Sequence, residues 1–469
     1  MNRSESTPSG RQSRLQRLFR KLHRWSGITA AFWLIVLAVT GIVLDHDEWR
    51  WARQGQVPGE LLSPTVGRLL PATLMRYVAV DPTNSNVWIG ASERGVWRSE
   101  DSGRSWRQLP YAGGRGSPQV RGMVQVGNGR LGDTWMPTDD GIWRLADDGR
   151  AVLPIAQAGL NIDSLTSAAA GEYLLGVEHH GRAFRIPIAS PDQLEWLDFS
   201  NVSVAGLEPT VSLQRVIFDL HFGYGLFNRR VSTWINDFGG VAIIVLGVSG
   251  LLFWWLPRRW RKRRGGPGPA AKRSTLSWLY RSHGPVVGLL ATLPILYFSI
   301  TGILLDHVYW LLGWASDVPV RREVLPPAFH YSSLDGDIDA IVTYPDDPGQ
   351  MTVSTRLGIL TTTDNGKTWQ REMDLPASGG NLFRQDNVVF ASWTTADHYF
   401  RRDGDPVWRP LAGPSTGVSG AARIGDTWYV KNSKGLYRGP LDGEMQLVED
   451  FQRPPLSGGT LYLFLVDLH

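Results

Sequence analysis

The sequence predicts a membrane-embedded helical bundle made of duplicated helix pairs, joined to an all-β domain of propeller type outside the membrane. Two observations support the membrane part of this fold class: two long apolar runs, and the motif that is repeated at their ends. An apolar run with a histidine near each end occupies Leu22–His46, and a similar run occupies His283–His307. The 23 residue steps from His23 to His46 would cover roughly 34 Å as a helix, which is about one bilayer core with its interfaces. Both runs close on Thr-Gly-Ile, two apolar residues and Asp-His, 261 residues apart, so the chain contains an internal duplication.

The composition narrows the chemistry that the chain can perform. The 469 residues include no cysteine, which excludes disulfide frameworks, thiolate-bound zinc and cysteine-bound iron–sulfur clusters. Histidine therefore remains as the candidate metal ligand. The 21 tryptophans and 52 glycines suit a β-rich repeat domain with tight turns.

Basic residues are clustered beside the apolar runs. Six lie between Arg11 and Arg24, and seven residues at Arg258–Arg264 read RRWRKRR. Nucleic-acid binding is the alternative interpretation, but clusters that adjoin apolar spans indicate cytoplasmic anchors by the positive-inside rule. We therefore expect a lipid bilayer as partner and no nucleic acid. The N-terminal run is too long for a cleavable signal peptide and lacks a small-residue cleavage site.

The first half of the chain divides into four segments. We expect a cytoplasmic basic N-terminus at 1–24, with its first 20 residues disordered or lying on the membrane surface. A first transmembrane helix at 25–46 leads to the first half of a periplasmic β domain at 47–210. An outer-face helix and a second transmembrane helix follow at 211–256.

The second half repeats this order after a linker. A basic, Gly- and Pro-containing cytoplasmic linker is expected at 257–276. The third transmembrane helix, at 277–307, precedes the second half of the periplasmic β domain at 308–457. Residues 458–469 would begin another outer-face helix, because they end in the same Asp-Leu-His as Asp219–His221. A fourth transmembrane helix is absent. Truncation and a natural lack of this helix are both open, and we favour truncation because the last histidine would otherwise lack its supporting helix.

The polar segments carry a repeated hairpin motif. Ser99–Trp106 and Thr362–Trp369 both fit S/T-x-D-x-G-x-S/T-W and resemble the Asp-box (BNR-like repeat) of sialidase-like and photosystem-assembly-type propellers. Glycine allows a positive φ in the turn, aspartate accepts hydrogen bonds from turn amides, and tryptophan packs the hairpin on a neighbouring sheet. The motif is structural, and no paired carboxylates with a tyrosine nucleophile accompany it, so we do not expect sialidase activity.

A second repeated segment, together with the spacing of the strands, suggests the number of sheets. Arg130–Arg144 resembles Arg423–Arg438, and short alternating strands recur at intervals of about 40 residues, the period of a propeller blade. Each polar segment contains about three such units. The two segments together could therefore complete one six-bladed propeller.

Six of the ten histidines form three repeat-related pairs at the edges of the apolar runs. A single histidine at such an edge is explained by helix capping or by contact with the interface. Three matched pairs favour function, because ionisable groups in or beside membrane spans are costly. The pairs are His23 with His283, His46 with His307, and His221 with His469.

Two imidazoles on facing helices are the axial ligands that a low-spin b-type haem requires, whereas zinc more often takes three or four ligands at one level. We predict two haems b. His23 and His283 would bind one at the inner face. His46, His307, His221 and His469 would supply the other at the outer face, and the sequence leaves open which two are axial.

Neighbouring residues could support these ligands. Candidate orienting carboxylates are Asp45, Asp306, Asp219 and Asp467. Arg24 and Arg281 could neutralise haem propionates or act only as positive-inside charges. Small residues within the spans could allow either a porphyrin or a neighbouring helix to approach: Gly27, Gly41, Gly247, Gly250, Gly288 and Gly302. The remaining histidines are expected to be surface or turn residues: His179, His180, His330 and His398.

The membrane segments resemble the PepSY-associated transmembrane helix family, which includes bacterial inner-membrane siderophore reductases. The resemblance rests on LHRWSG, TGIVLDH, DLHFG and GVSGLLFWWLPRR and on their second-half echoes. It implies two b-type haems that carry electrons across the membrane to reduce a ferric-siderophore, with the six paired histidines as ligands. The chain departs from the family in three ways: Asp-box repeats replace the usual outer insert, the fourth helix is absent, and His283 precedes its glycine by five residues where His23 does so by four.

The sequence and this resemblance therefore predict a multi-pass protein of the bacterial inner membrane with a cytoplasmic N-terminus and an oxidoreductase activity like that of a ferric-siderophore reductase. It would pass electrons from a cytoplasmic protein or membrane quinol to a periplasmic acceptor such as a ferric-siderophore or a periplasmic protein. No flavin or nicotinamide signature is present. The alternative is a non-enzymatic, membrane-anchored propeller that acts as a scaffold or sensor for a periplasmic partner.

Overall fold

The computed structural model describes most of the chain and divides it into two compact units. The helical unit comprises Met1–Trp49 with Pro209–His330, and the β unit comprises Arg50–Glu208 with Tyr331–His469. The described residues are 10–46, 49, 56–57, 75–92, 95–112, 118–127, 130–168, 171–223, 225–227, 229–262, 268–307, 314–315, 317–345, 347–356, 358–372, 381–392, 398–414, 416–432, 434–452, 454 and 461–462.

The described residues of the helical unit form five α-helices. They are α1 (Gly10–Asp45), α2 (Leu213–His221), α3 (Arg229–Lys262), α4 (Pro269–Arg281) and α5 (Val287–Asp306). A π-helical turn, Ser282–Val286, joins α4 to α5. Pro285 within this turn has no N–H to donate, so the regular α-helical bonding is interrupted there.

In the part of the chain that the structure describes, three helical stretches are long and apolar enough to cross a membrane: Gln16–Val43, Val231–Arg261 and Pro269–Leu305. Their apolar side chains are largely exposed, and Leu289 and Leu293 on α5 are 73% and 77% accessible. Exposed apolar surface of this extent is stable against lipid and unfavourable against water. These spans support a membrane protein.

The helix α1 begins earlier than the sequence suggests. Residues 10–20, expected to be disordered or to lie on the membrane surface, are helical and continuous with the apolar run. No proline or glycine occurs between Arg11 and Ser26, and Arg, Leu, Gln and Lys favour helix. The apolar part of the helix therefore extends into its basic part without a break.

Small residues bring α1 and α3 close together. A Cβ on Gly240 would lie 2.8 Å from the Ile42 side chain, and one on Gly247 would lie 2.8 Å from the Ile35 side chain. The higher-numbered glycine of α3 contacts the lower-numbered isoleucine of α1, so the two helices are antiparallel. Glycines seven residues apart allow such close packing between apolar helices.

The β unit contains six sheets of four or five strands, three from each polar segment of the sequence. The first segment supplies sheets 1, 2 and 3. Sheet 1 has β2 (Tyr77–Asp81), β3 (Asn84–Ser92), β4 (Gly95–Ser99) and β5 (Arg107–Gln108). Sheet 2 has β6 (Val124–Gln125), β7 (Thr134–Thr138), β8 (Gly141–Leu145) and β9 (Val152–Ala156). Sheet 3 has β10 (Ile162–Ala168), β11 (Tyr173–Glu178), β12 (Arg182–Pro187) and β13 (Glu195–Trp196).

The second segment supplies sheets 4, 5 and 6. Sheet 4 has β17 (Ile338–Tyr344), β18 (Asp347–Thr355), β19 (Gly358–Thr362) and β20 (Thr368–Arg371), and β14 (Ser203–Ala205) joins its edge. Sheet 5 has β21 (Asn381–Gln385), β22 (Val388–Ser392), β23 (His398–Arg402) and β24 (Arg409–Pro410). Sheet 6 has β25 (Val418–Ile424), β26 (Thr427–Asn432), β27 (Leu436–Gly439) and β28 (Gln446–Leu447).

The six sheets pack in a ring. Five buried apolar clusters join sheets 1 and 2, 2 and 3, 3 and 4, 4 and 5, and 5 and 6. A sixth cluster joins sheet 6 to sheet 1, with Ala422 and Leu436 against Val78 and Trp88. Because each sheet is covered on both faces, a middle strand such as β22 is buried along its whole length. This cyclic order is that of a six-bladed propeller, and it agrees with the three units expected in each segment.

The two Asp-box hairpins have the same hydrogen bonds. Asp101 Oδ1 accepts from the Ser105 N–H at 2.8 Å, and Asp364 Oδ1 accepts from the Thr368 N–H at 2.9 Å. The glycine of each turn has a φ of 86° or 85°. Hydrogen bonds from the hydroxyl and amide of the residue four positions later, Ser105 or Thr368, lower the pKa of each aspartate from 3.8 to about 2. The predicted turn chemistry is confirmed.

An aromatic residue that follows the last sheet of each half of the ring packs against the Asp-box of the other half. Phe199, after sheet 3, packs edge-on against Trp369 with ring centroids 5.6 Å apart. Phe451, after sheet 6, packs edge-on against Trp106 at 6.1 Å. These reciprocal contacts join the two halves of the ring, and β14 adds a parallel strand beside β20 at one of them.

Short strand pairs extend the duplication beyond the histidine motifs. In the helical unit β15 (Thr210–Ser212) pairs with β16 (Pro319–Arg321), and the next bond is from the Leu213 N–H to the Val318 carbonyl at 2.9 Å. In the β unit β1 (Gln56–Val57) pairs with β29 (Leu461–Tyr462), with Val57 opposite Leu461. Val57 and Leu461 are the repeat equivalents of Val318 and Leu213, so the two pairs have the same register.

Candidate functional site

Five of the six paired histidines lie in the described part of the helical unit. His23 is in the first half of α1, His46 follows its end, and His221 is the last residue of α2. His283 lies in the π-helical turn, and His307 follows the end of α5. His469 lies outside the described residues, as do Asp467 and the side chain of Asp306.

The structure brings His23 and His283 together. Their ring centroids are 6.1 Å apart and their planes are inclined by 58°. His283 Nδ1 lies 3.0 Å from the Ser249 hydroxyl on α3, and Ser249 is buried. Arg24 and Arg281 flank the pair in sequence and are exposed. A Cβ on Gly27 or Gly284 would meet no described atom within 4 Å, so the backbone beside both histidines is uncrowded.

His221 is held at the opposite end of α5. Its Nδ1 lies 2.9 Å from the Thr301 hydroxyl, and its backbone carbonyl accepts a hydrogen bond from the Asn236 side chain at 3.3 Å. The Tyr297 hydroxyl donates to the carbonyl of the preceding Leu220. The end of α2 is therefore attached to both α3 and α5.

His46 contacts a different partner. Its Nε2 lies 2.9 Å from Asp237 Oδ2 on α3, and its ring is stacked on Trp49 with centroids 4.5 Å apart and planes inclined by 2°. Asp237 was missed at the sequence level because it has no position in the repeated Asp-His motif. The predicted orienting residue Asp219 is buried and lies 2.9 Å from Arg215, one turn earlier on the same helix.

His307 is exposed, and its Nδ1 donates to the Ile303 carbonyl at 2.9 Å. This is a local contact within the last turn of α5. No described contact joins His307 to another of the paired histidines in the way that His23 and His283 are joined. Within the described ranges, no group of three or more His, Asp or Glu side chains is arranged to hold a metal ion.

Among the other histidines of the β unit, His398 differs from expectation because it lies in a buried strand, whereas His179 lies in a turn as expected. His179 and His398, expected at the surface or in turns, are 8% and 3% accessible. His179 is in a turn, but its Nδ1 lies 3.0 Å from Asp163 Oδ2, and Arg121 also contacts Asp163. His398 begins β23 and its Nδ1 lies 2.7 Å from the Ser392 hydroxyl.

A buried charged group joins sheets 4 and 5 in addition to their apolar cluster. The Arg401 guanidinium on β23 donates to Glu372 at 3.0 Å and to the Tyr344 hydroxyl at 2.5 Å, and it lies 4.5 Å from the Trp408 ring centroid. Burial acts to lower the pKa of Arg401, but the neighbouring Tyr344 and Glu372, which accept its hydrogen bonds, more than offset burial and raise the pKa above its usual value. The group is fully used within the protein and does not form a ligand site.

The sequence profile of the PepSY-associated TM region matches the chain twice, over residues 2–255 and residues 164–469. A comparison with curated proteins gives no match. The two profile matches together span nearly the whole chain and overlap in its middle.

Solved structures show low overall similarity. A GH74 xyloglucanase from Xanthomonas campestris has 10% identity and a TM-score of 0.36, with 80% of this chain and 45% of that chain covered. YCF48 from Cyanidioschyzon merolae has 10% identity and a TM-score of 0.34, with 84% and 88% covered. The Cps50 (Swd1) β-propeller domain from Myceliophteria thermophila has 8% identity and a TM-score of 0.36, with 83% and 96% covered. The chain thus spans less than half the length of the xyloglucanase.

Proposed function

The chain belongs to the family of the PepSY-associated TM region, and on this basis we propose that it is a haem b protein of the bacterial inner membrane that transfers electrons outward. Its N-terminus would be cytoplasmic and its β unit periplasmic. The two basic clusters beside the spans support this orientation, because basic residues next to membrane spans favour the cytoplasmic side.

The observation that carries the proposal is the contact between His23 and His283. Two imidazoles that bind one metal ion must come from different helices and lie with their rings close together. The observed separation is 6.1 Å. The two residues come from equivalent positions of the two repeats. An interfacial histidine that only caps a helix has no need of such a partner.

The donor set also fits haem better than other metals. The described residues near the pair offer two imidazoles and no carboxylate or thiolate, which is the axial set of a low-spin haem. Haem b would supply reversible one-electron Fe(III)/Fe(II) chemistry there. His23 and His283 would hold the iron, and the surrounding apolar helices would exclude water and so help to set the potential.

A second haem would lie near the other end of the bundle, with ligands from among His46, His221, His307 and His469. The spacing of His23 and His46 along α1, roughly 34 Å at helical rise, separates the two levels. Electrons from a cytoplasmic protein or a membrane quinol would pass between these levels to a periplasmic acceptor such as a ferric-siderophore. A quinol releases two electrons and two protons, and each Fe(III) takes one electron and becomes the more weakly chelated Fe(II).

The test is a reduced-minus-oxidised absorption spectrum of the purified full-length protein, with haem quantified per chain. We expect a b-type spectrum and about two haems. His23→Ala and His283→Ala should each remove the same haem, so the double variant should lose no more than either single one. His180→Ala is the matched control, because His180 is exposed on the β unit. Losses that add in the double variant would contradict a shared haem, and a haem-free wild type expressed with ample haem would refute electron transfer.

The second candidate is a membrane-anchored scaffold or sensor. It is favoured by the six-sheet ring, which makes up most of the described residues and could bind a periplasmic partner. A stable, colourless protein that captures a periplasmic protein through its β unit would support this function.

A further inference from the structure

Two segments of the helical unit carry many cations and no acidic residue. Residues 238–305 contain nine Lys and Arg and no Asp or Glu, and residues 6–44 contain six Lys and Arg and no Asp or Glu. Neither segment therefore has a carboxylate side chain of its own that could neutralise these cations. Charge of this kind attracts an anionic partner.

The packing of α1 on α3 brings the two basic segments to the same level. Gly247 of α3 packs against Ile35 of α1, and the two helices are antiparallel. Eleven residues farther along this register, about three helical turns, Arg258 of α3 lies level with Arg24 of α1. The basic ends of both helices are therefore at the same end of the pair.

Two guanidinium groups near the end of α3 are held over indole rings of the preceding turn. The guanidinium carbon of Arg258 lies 4.4 Å from the Trp254 ring centroid, and that of Arg259 lies 4.6 Å from the Trp255 ring centroid. Arg258 Nη1 also donates to the Trp254 carbonyl at 2.7 Å. Because a guanidinium has five N–H donors and can stack through its face, its edge can still bind an oxyanion.

The aromatic residues at this end are typical of a membrane interface. Trp25 on α1 is 59% accessible, and Trp278 and Tyr280 on α4 are 64% and 65% accessible. The guanidinium carbon of Arg24 lies 5.7 Å from the Trp25 ring centroid, so α1 repeats the arginine–tryptophan association of α3. Because Trp and Tyr are enriched where hydrocarbon meets the headgroups, this end of the helical unit fits the depth of lipid phosphates.

We propose that this end of the helical unit is a binding surface for anionic phospholipids, in which Arg258 and Arg259 bind the headgroup phosphate. Arginine binds phosphate oxygens through paired N–H donors, and basic residues between membrane helices are suited to such headgroups. The exposed rings of Trp25 and Trp278 would contact the adjoining acyl chains. A zwitterionic headgroup has a cation of its own beside the phosphate, which the basic segments repel, so the surface selects anionic lipid.

The inference goes beyond the proposed electron transfer and does not depend on haem. Nucleic acid is the other phosphate-bearing partner that the basic clusters could bind. The structure favours lipid, because the guanidiniums of Arg258 and Arg259 are stacked on indoles that border an apolar span. A nucleic acid would have to reach them through the headgroup layer.

The test is native mass spectrometry of the delipidated full-length protein in detergent, titrated with phosphatidylglycerol or with phosphatidylcholine of the same acyl chains. We expect the wild type to bind phosphatidylglycerol more tightly than phosphatidylcholine. The double variant Arg258→Gln, Arg259→Gln should bind phosphatidylglycerol roughly 30-fold more weakly, since each basic residue near a membrane surface contributes about a fivefold factor in affinity. Its affinity for phosphatidylcholine should change little.

Arg321→Gln is the matched control, because Arg321 is exposed on β16 and lies outside both basic segments. Its affinity for phosphatidylglycerol should equal that of the wild type. Every variant must give a single, symmetric size-exclusion peak. If the glutamine variant does not fold, Arg258→Lys with Arg259→Lys provides the test, because it keeps both charges and loses the paired donors; it should bind phosphatidylglycerol roughly fivefold more weakly.

Three results would overturn the proposal. The first is equal affinity of the wild type for the two lipids, and the second is an unchanged affinity for phosphatidylglycerol in both folded double variants. The third is a single-stranded DNA oligonucleotide that binds the wild type more tightly than phosphatidylglycerol does and is lost in the glutamine variant, which would assign the surface to nucleic acid. Haem content does not enter any of these measurements, so the proposed electron transfer stands or fails separately.

Discussion

The contact between Gly366 and Phe199 gives a quantitative prediction about how the two halves of the ring are joined. Gly366 is the turn glycine of the second Asp-box and has a φ of 85°. A Cβ at this position would overlap the edge of the Phe199 ring, which itself packs on Trp369. Gly366→Ala should therefore strain the turn and displace the phenylalanine that attaches the first half to sheet 4.

The magnitude follows from the two separate costs. A left-handed backbone conformation costs a residue with a side chain about 1–2 kcal/mol, and overpacking of a full site costs about 1–3 kcal/mol. The sum is about 2–5 kcal/mol. Gly404 provides the matched control, since its φ is 74° but a Cβ there would meet nothing within 4 Å. Gly404→Ala should cost only the backbone part, about 1–2 kcal/mol.

The assay is thermal unfolding of the detergent-solubilised full-length protein, followed by tryptophan fluorescence. At roughly 2 °C per kcal/mol for a unit of this size, Gly366→Ala should lower the β-unit transition by about 4–10 °C and Gly404→Ala by about 2–4 °C. Equal shifts for the two variants would refute the reasoning, because the crowding by Phe199 would then have no energetic effect.

Three further predictions concern both units. Asp101 and Asp364 have pKa values of about 2, against an ordinary value of 3.8. Both carboxylates therefore stabilise the folded state above pH 4, and this stabilisation is lost as the pH falls toward 2. In the double variant Asp101→Asn, Asp364→Asn, the melting temperature should decline less steeply over that pH range. Arg401→Met should destabilise the β unit by about 1–3 kcal/mol in a urea titration, since it removes a charged hydrogen-bond donor from the partly buried Glu372, which keeps its bond from the Thr361 hydroxyl. Arg402→Met removes a partly exposed ion pair with Asp442 and should cost at most about 1 kcal/mol in the same titration. Gly247→Val should weaken the pairing of α1 with α3 by about 1–3 kcal/mol, because a Cβ at this position would lie 2.8 Å from the Ile35 side chain. The measurement is the melting curve of the helices in detergent. Val248→Ile, on the exposed face of α3, is the control and should leave this curve unchanged.

Much of the candidate site could be predicted from the sequence because the duplication marks it. His23 and His283 occupy equivalent edges of two apolar runs, so the duplication identifies them as a pair in the sequence itself. The residues that contact the histidines were not predictable in this way. Ser249 and Thr301 lie within apolar helices, where a hydroxyl that bonds its own helix is common. Asp237 lies about 190 residues from His46 in the chain, and nothing local to either residue indicates their contact.

The sequence by itself determined the membrane helices, the two Asp-box turns, the three sheets in each half and the repeat-related histidines. These features depend on hydropathy over a helix length, on turn residues with a required φ, and on a periodicity that survives duplication, all of which act over a few residues. Only the tertiary structure decided which side chains contact the paired histidines, that His179 and His398 are buried, and that each half of the ring packs against the Asp-box of the other half. These outcomes depend on distant side chains that meet only after the chain has packed, and their energies have no local counterpart in the sequence.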